Sequence, residues 1–449
     1  MQTKMKKVVV FGAGLSASYL IRYLEEKGIV HNWSLYVADR DLSTVRSKCK
    51  SPETECVELD ISDTKAVRNL IENAALVVSM LPARFHTIIA RECLTKGIHL
   101  ATASYLSEDL KKMHQEVKDK GLIFLNECGL DPGIDHLSTM KLLDEIRAKG
   151  GKITEFESFT GGLIAPDCVD NPWGYKFTWN PRNVVLAGSG GAVKFIHTGQ
   201  YKYIPYHRVF RRTEIVEIDG YGKFEGYANR DSLKYRETYG LQDVNTMFRG
   251  TFRRPGFSKA WNCFVQLGAT DDSYVLPNTT EMTHRQFINT FLPYHPTDSV
   301  ELKLKSYLGI DQDDIYLWEK LESTGVFSDE KVGLKEATPA QILQHILEKK
   351  WSLKHTDKDM IVMWHKVTYV LHNEKHQLES SLVCKGEDST HTAMAKTVGL
   401  PLAIACKQIL IGKVLETGCI LPTKQELYLP ILNELAENGI VFKEKEVEI

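Results

Sequence analysis

The sequence predicts an α/β protein: a doubly wound parallel sheet at the N-terminal end, a second mixed α/β domain and a small helical subdomain. Three observations carry that expectation. Up to about Gly133, short apolar runs alternate with stretches of amphipathic, helix-spaced pattern. A glycine-rich turn follows the first of those runs, and beyond residue 150 the strands become longer, aromatic-rich and punctuated by Gly and Pro. At 449 residues the chain is also too long for a single core.

The elements follow in order. Residues 7–12 (KVVVFG) read as a strand, and 15–27 carry apolar residues at helical spacing. Further strands are expected at 34–38, 56–59, 76–80, 98–102 and 122–126, separated by amphipathic stretches. Strands alternating with helices in this way imply parallel βαβ units, and six of them make a Rossmann-type dinucleotide fold over residues 1–133. Residues 134–281 read as a mixed-sheet domain, 282–350 as the helical subdomain, 351–390 as a return to the mixed sheet, and 391–449 as helical.

Composition excludes several classes. A net charge of −2 gives no whole-protein attraction to nucleic acid or to an anionic membrane. Nine cysteines, odd in number and without a CxxC pair, make poor material for a disulfide framework or a zinc site. The opening residues run straight into an apolar strand, and no apolar run is read as approaching ~18 residues. The expectation is a cytoplasmic protein with reduced thiols, no metal, and no nucleic-acid or membrane partner.

Gly12-Ala13-Gly14-Leu15-Ser16-Ala17 has the form G-x-G-x-x-A. Gly12 permits the tight turn, Gly14 lets a diphosphate approach the backbone, and small Ala17 lets the helix pack closely on the strand. The helix start, with Leu15 and Ser16, offers free N–H groups to anionic oxygens. Asp39 ends the second strand, 25 residues beyond Gly14. A carboxylate there accepts from the adenosine ribose hydroxyls and favours NAD, whereas the adjacent Arg40 suits the 2′-phosphate of NADP. Leu81 follows the fourth strand, and Ser104 and Tyr105 follow the fifth, at the carboxyl ends where open α/β sheets bind ligands.

Residues 126–136 (NECGLDPGIDH) mark a sharp crossing after the last strand, which places Asp131 beside the cofactor's reactive end or else makes it a helix cap. Asp135 and His136 read as structural residues of the first helical turn. The second domain gathers basic residues around its turns: Lys176, Arg182, Arg230 and the run from Arg249 to Arg254. Guanidinium groups bind carboxylates in bidentate fashion, so the cluster suits an acidic substrate.

The strings NECGLDPGIDHL, GGLIAPDCVDNPWGYKFTWNPR, GYANRDSLKYRETYGL, MFRGTFRRPGF and MAKTVGLP resemble segments of the glutamate-forming saccharopine dehydrogenases, in the expected order and over nearly the whole chain. The resemblance implies interconversion of saccharopine with glutamate and α-aminoadipate semialdehyde, a step of lysine metabolism. In that reaction hydride leaves the carbon attached to the secondary amine, and water hydrolyses the resulting imine. It implies substrate contacts from Ser104, Tyr105, Asp131, Arg230, Thr251, Phe252 and Arg253, with Asp131 and Tyr105 as candidates for proton transfer. It also implies a homodimer, with residues 134–281 as the substrate and dimerisation domain and the helices of 391–449 packing on the first domain. One departure is Thr160 in TGGLIAP, where family members carry a cysteine, which removes any essential thiol role there. Two other readings stand beside this one: a carboxynorspermidine-type dehydrogenase, and a dinucleotide-sensing protein without turnover.

Overall fold

A computed structural model describes residues 5–187 and 191–448 of the chain. These form two compact units, one of Met1–Lys152 with Leu382–Lys443, the other of Ile153–Ser381 with Glu444–Ile449.

Unit 1 is built on a parallel sheet. Its strands are β1 (Lys6–Phe11), β2 (Trp33–Asp39), β3 (Glu55–Glu58), β4 (Ala74–Ser79), β5 (His99–Thr102) and β6 (Ile123–Leu125). Their spatial order is β6-β5-β4-β1-β2-β3, every neighbour parallel. Val8 to Phe11 are buried on both faces, which is why the central strand reads as an unbroken apolar run. A seventh strand, Gly418–Ile420, joins the edge beside β6. Three residues carry no pattern of their own, so the C-terminal contribution to this sheet is a correction to the six-strand expectation. Gly418 is required there: its φ is +110°, and a Cβ would lie 2.7 Å from the His114 ring.

Helix α1 runs Ser18–His31, three residues later than the periodicity suggests. The intervening residues form a turn closed by Ala17 N donating to Gly14 O at 3.1 Å. Helices α2 (Leu42–Lys48), α3 (Thr64–Ile71) and α4 (His86–Lys96) follow β2, β3 and β4. The helix Ile134–Ala148 also lies in unit 1, which runs on to Lys152. Tyr428 Oη donates to Asp144 Oδ2 at 2.8 Å, which ties that helix to the C-terminal helix Gln425–Glu437.

The helix Ala393–Leu410 is long and apolar enough to cross a membrane, with a mean hydropathy of 1.2, contrary to the expectation that no such run exists. It is 83% buried inside the fold, as a core helix should be. A Cβ at Gly399 would lie 2.8 Å from Leu20 N, so the glycine of MAKTVGLP lets this helix lie close against α1. Tyr19 donates to Glu387 at 2.7 Å and Tyr23 to Glu434 at 2.6 Å, binding α1 to the C-terminal segment.

Unit 2 carries a mixed sheet in the order Thr213–Ile218, Gly222–Ala228, Thr246–Arg253, Lys152–Ile164, Asp359–Leu371, Glu374–Lys385 and Lys443–Val447. Thr246–Arg253 runs parallel to Lys152–Ile164 and antiparallel to Gly222–Ala228. Helices His284–Asn289, Val300–Leu308, Ile315–Ser323 and Pro339–Trp351 occupy the stretch expected to be helical. The string NPWGYKFTW, read from sequence as part of a basic cluster, is core: Trp173, Tyr175 and Phe177 pack edge to face on Trp351, centroids 5.1–5.4 Å apart.

Lys176 within that string is buried and donates to Asp357 at 2.6 Å and Asp170 at 2.8 Å; Lys354 also reaches Asp170, at 2.7 Å. Lys176→Met leaves Asp357 buried without its cation, and is expected to cost about 3–5 kcal/mol in chemical denaturation. Burial pushes the Asp170 carboxyl up, but the two ammonium groups outweigh it and hold it at about 2. A carboxyl depressed on folding stabilises above its unfolded pKa of roughly 4 and loses that contribution as pH falls toward 2. Lys176→Met should therefore move the acid-unfolding midpoint to higher pH.

Candidate functional site

The glycine turn shows why its residue types are needed. Gly12 has a φ of +98°, and a Cβ there would lie 2.9 Å from the backbone carbon and oxygen of Met80. Its N–H donates to Ala38 O at 2.8 Å, so the turn is clamped between the ends of β2 and β4. Gly14 is the opposite case: its Cβ position has nothing within 4 Å. Helix α1 begins without a side-chain cap, leaving first-turn amides available to an anion. Leu15 is exposed, Ser16 half-buried and Ala17 buried against the strand. Open space beside backbone N–H groups fits a diphosphate.

Asp39 closes the turn from the other side, its Oδ2 accepting from Ala13 N at 2.8 Å. Arg40 stands exposed next to it. Lys48, at the end of α2, donates to Gly14 O; burial draws its ammonium down to about 8, with the Asp39 charge opposing. Leu81 lies half-buried against the sheet core, following the β4 end that Gly12 touches.

At the ends of β4 and β5 lies a hydrogen-bonded series. His86 Nδ1 is 2.8 Å from Ser79 Oγ, and its Nε2 is 2.8 Å from Ser104 Oγ. Burial draws this imidazole down to about 4, so it is neutral near pH 7. Tyr105 Oη donates to Asp131 Oδ1 at 3.2 Å, bringing together the two residues expected to handle protons. The junction that delivers Asp131 is tightly interlocked. Gly133 has a φ of +148°, and a Cβ there would lie 2.0 Å from Gly129 O. Gly133 N donates to Asp135 Oδ1 at 2.6 Å, and His136 Nε2 lies 2.9 Å from Glu127 Oε2. Asp135 and His136 are thus engaged beneath the turn, while Asp131 is half-buried.

In unit 2 the basic residues divide by what they touch. Lys176 and Arg182 are paired with aspartates. Arg254 lies over the Phe224 ring at 4.5 Å and donates to Tyr221 O at 3.0 Å. Arg230 is exposed, at a left-handed φ of +52°. Arg253 differs from all of these. It is 5% exposed, its guanidinium stacks on Tyr175 at 4.9 Å and Phe257 at 5.2 Å, and it has no carboxylate partner among the described residues. Glu225, opposite it on the next strand, spends both oxygens on Gly256 N at 2.8 Å and Ser258 N at 2.7 Å.

Three buried polar atoms near this strand lack a partner among the described residues: Arg253 Nε, Tyr175 Oη and Thr160 Oγ1. Thr160 is level with Thr251 on the neighbouring strand, and alternation puts Thr251 and Arg253 on one face of the sheet. Phe252 turns to the other face, stacking on Phe159 at 5.1 Å. Its side chain is core, which leaves only its backbone for the contact expected of it. Burial pushes the Tyr175 phenol up to about 12, the Arg253 cation pulling the other way. Buried, unpartnered donors of this kind are complementary to a ligand oxygen.

Tyr175 and His86 were not singled out from sequence. An alternating aromatic string reads as core, and a lone histidine at a helix start carries no motif. Among the described residues no group of three or more His, Cys, Asp or Glu could hold a metal ion. All nine cysteines are free thiols.

Two family models match the chain: the saccharopine dehydrogenase NADP binding domain over residues 8–125, and the saccharopine dehydrogenase C-terminal domain over residues 129–440. Saccharopine dehydrogenase [NADP(+), L-glutamate-forming] of Schizosaccharomyces pombe is 30% identical, covering 99% of this chain and 100% of that protein. Mitochondrial alpha-aminoadipic semialdehyde synthase of Mus musculus is 32% identical over 98% of this chain but only 48% of its own length. The chain thus spans about half of that relative. The structure of apo saccharopine dehydrogenase (L-Glu forming) from Saccharomyces cerevisiae superposes with a TM-score of 0.87 at 29% identity, covering 99% of this chain and 100% of that one.

Proposed function

The chain belongs to the saccharopine dehydrogenase family, and from that premise we propose that it interconverts saccharopine with glutamate and α-aminoadipate semialdehyde, using a nicotinamide dinucleotide. The observation that carries the reading is the buried Arg253, a cation kept in an aromatic setting without a carboxylate of its own. Holding such a charge costs the fold free energy, which a carboxylate ligand would offset. Saccharopine has three carboxylates, and we assign the exposed Arg230 to another of them.

The dinucleotide, when bound, accepts hydride from the carbon beside the secondary amine. What the chain's own residues contribute is binding and placement. The Gly12 to Ala17 turn and the α1 amides hold the diphosphate. Asp131, hydrogen-bonded by Tyr105, faces the substrate amine and accepts or returns its proton as the imine forms and is hydrolysed.

For the choice of dinucleotide the supports divide. The family model and the fungal relative are named for NADP, and the exposed Arg40 offers a guanidinium to a 2′-phosphate. NADP is therefore the first reading, in place of the NAD expected from Asp39. NAD remains the second on one observation: the Asp39 carboxylate sits at the Ala13 amide, where it would repel a 2′-phosphate. Asp39→Ser is expected to raise the ratio of NADP to NAD activity by about tenfold, and Arg40→Met to lower it. Steady-state rates with both cofactors check this, and an unmoved ratio in both variants removes these residues from the selection.

The function is tested by incubating the chain with saccharopine and each oxidised cofactor. Expected are reduced nicotinamide, glutamate and semialdehyde in equal amounts. Reduction of neither cofactor overturns the proposal.

A further inference from the structure

The series Ser79–His86–Ser104 takes its direction from where Ser79 can place its proton. Ser79 is 1% exposed, and a hydroxyl buried to that degree is lowest in free energy with its proton on an acceptor. Among the described residues its one side-chain partner is His86 Nδ1, at 2.8 Å. Nδ1 must then carry the lone pair, and the single proton of the neutral ring sits on Nε2. Nε2 donates to Ser104 Oγ, also at 2.8 Å. Ser104 Oγ, having accepted, keeps its own proton with no other side-chain or backbone acceptor among the described residues. Ser104 is half-buried at the end of β5, so that proton has an outward path.

The low basicity of the ring agrees with this arrangement. An imidazolium would donate from both nitrogens and strand the Ser79 proton in the core, and burial already draws the ring down to about 4. His86 is also the first residue of α4, where the positive end of the helix disfavours a second proton.

We infer that His86 is a positioning residue which, oriented by Ser79, presents Ser104 as a hydrogen-bond donor, so that the ligand group held at the end of β5 is an acceptor oxygen and not an amine. Two such oxygens are available to the reaction: a carboxylate of the amino-acid substrate and the carboxamide carbonyl of the nicotinamide. The inference rests on the reading that Ser104 contacts a ligand.

The tautomer is read directly by nitrogen-15 NMR of the full chain labelled at histidine, with His86→Phe identifying the resonances among fifteen histidines. Expected for wild type at neutral pH is a protonated Nε2 and an unprotonated Nδ1, with Ser79→Ala lifting the constraint and giving a tautomer mixture. An Nδ1–H tautomer or an imidazolium in wild type overturns the inference. In binding and kinetics, Ser104→Ala should weaken one parameter by about tenfold. If the oxygen is the carboxamide, that parameter is the Kd of reduced dinucleotide measured by its fluorescence; if it is the carboxylate, the KM of saccharopine. His86→Phe should move the same parameter by the same factor, and the double variant no further. His86→Gln, whose amide can still donate to Ser104, should recover most of the loss. Additive effects, or no change in either parameter for Ser104→Ala, also overturn it. Failure of wild type to bind any dinucleotide would instead defeat the proposed function and leave the tautomer result standing.

Discussion

Arg253→Met is expected to lower kcat/KM for saccharopine by about 10³-fold while raising the thermal stability of the ligand-free chain. The first effect follows from losing a desolvated guanidinium that pairs with a carboxylate, an interaction worth about 2–5 kcal/mol when one partner is removed. The second follows from what surrounds Arg253 without ligand: three aromatic rings, one backbone carbonyl, and no carboxylate among the described residues. Replacing even a paired buried charge by apolar side chains of similar volume is often neutral or stabilising by about 1–4 kcal/mol, and Arg253 has no carboxylate among the described residues whose loss would offset that gain. A structural ion-pair partner would behave in the opposite way, as Lys176 should. Thermal melts and saccharopine kinetics on the same preparation separate the two roles; a fall in both stability and activity would make Arg253 a structural residue.

Gly14→Val is expected to leave the melting temperature nearly unchanged and to weaken dinucleotide binding by about 100-fold. The added side chain meets no protein atom within 4 Å of the Cβ, and Gly14 does not need a left-handed φ. Surface changes of that kind stay within about 0.5 kcal/mol. The same side chain would fill the space beside the α1 amides, and the loss of two charge-assisted hydrogen bonds accounts for the weaker binding. Gly12→Ala makes the control. Its Cβ would meet Met80 backbone at 2.9 Å and its φ is +98°, so stability and binding should fall together. Titration of reduced dinucleotide by fluorescence, with melts alongside, checks both. Undiminished affinity in Gly14→Val would place the diphosphate elsewhere.

The parts of this architecture that were legible in sequence are those where one residue type has one physical use. An apolar run followed by Gly12 and Gly14 is a buried parallel strand turning into a helix, and the strand and the turn both occur. The seventh strand of the first sheet was hidden because Gly418–Ile420 gains its identity from pairing with β6 and not from its own composition. The packing of the helix after Asp131 within unit 1 was hidden for a similar reason. Its allegiance is set by contacts such as Tyr428 with Asp144, 284 residues apart. Arginines could be counted but not sorted, because whether a guanidinium has a carboxylate depends on what Glu225 and Asp272 do elsewhere in the fold. His86 acquires meaning only through Ser104, 18 residues on.

The central claim is that hydride passes from the carbon beside the secondary amine of saccharopine to a dinucleotide held at the Gly12 to Ala17 turn. It is tested most directly with saccharopine carrying two deuterium atoms on the lysine-derived carbon bonded to that amine. The account predicts one deuterium on C4 of the reduced nicotinamide and the other retained on the aldehyde carbon of the semialdehyde, by NMR of both products. Deuterium found only in solvent, or a reduced nicotinamide without label, would contradict it.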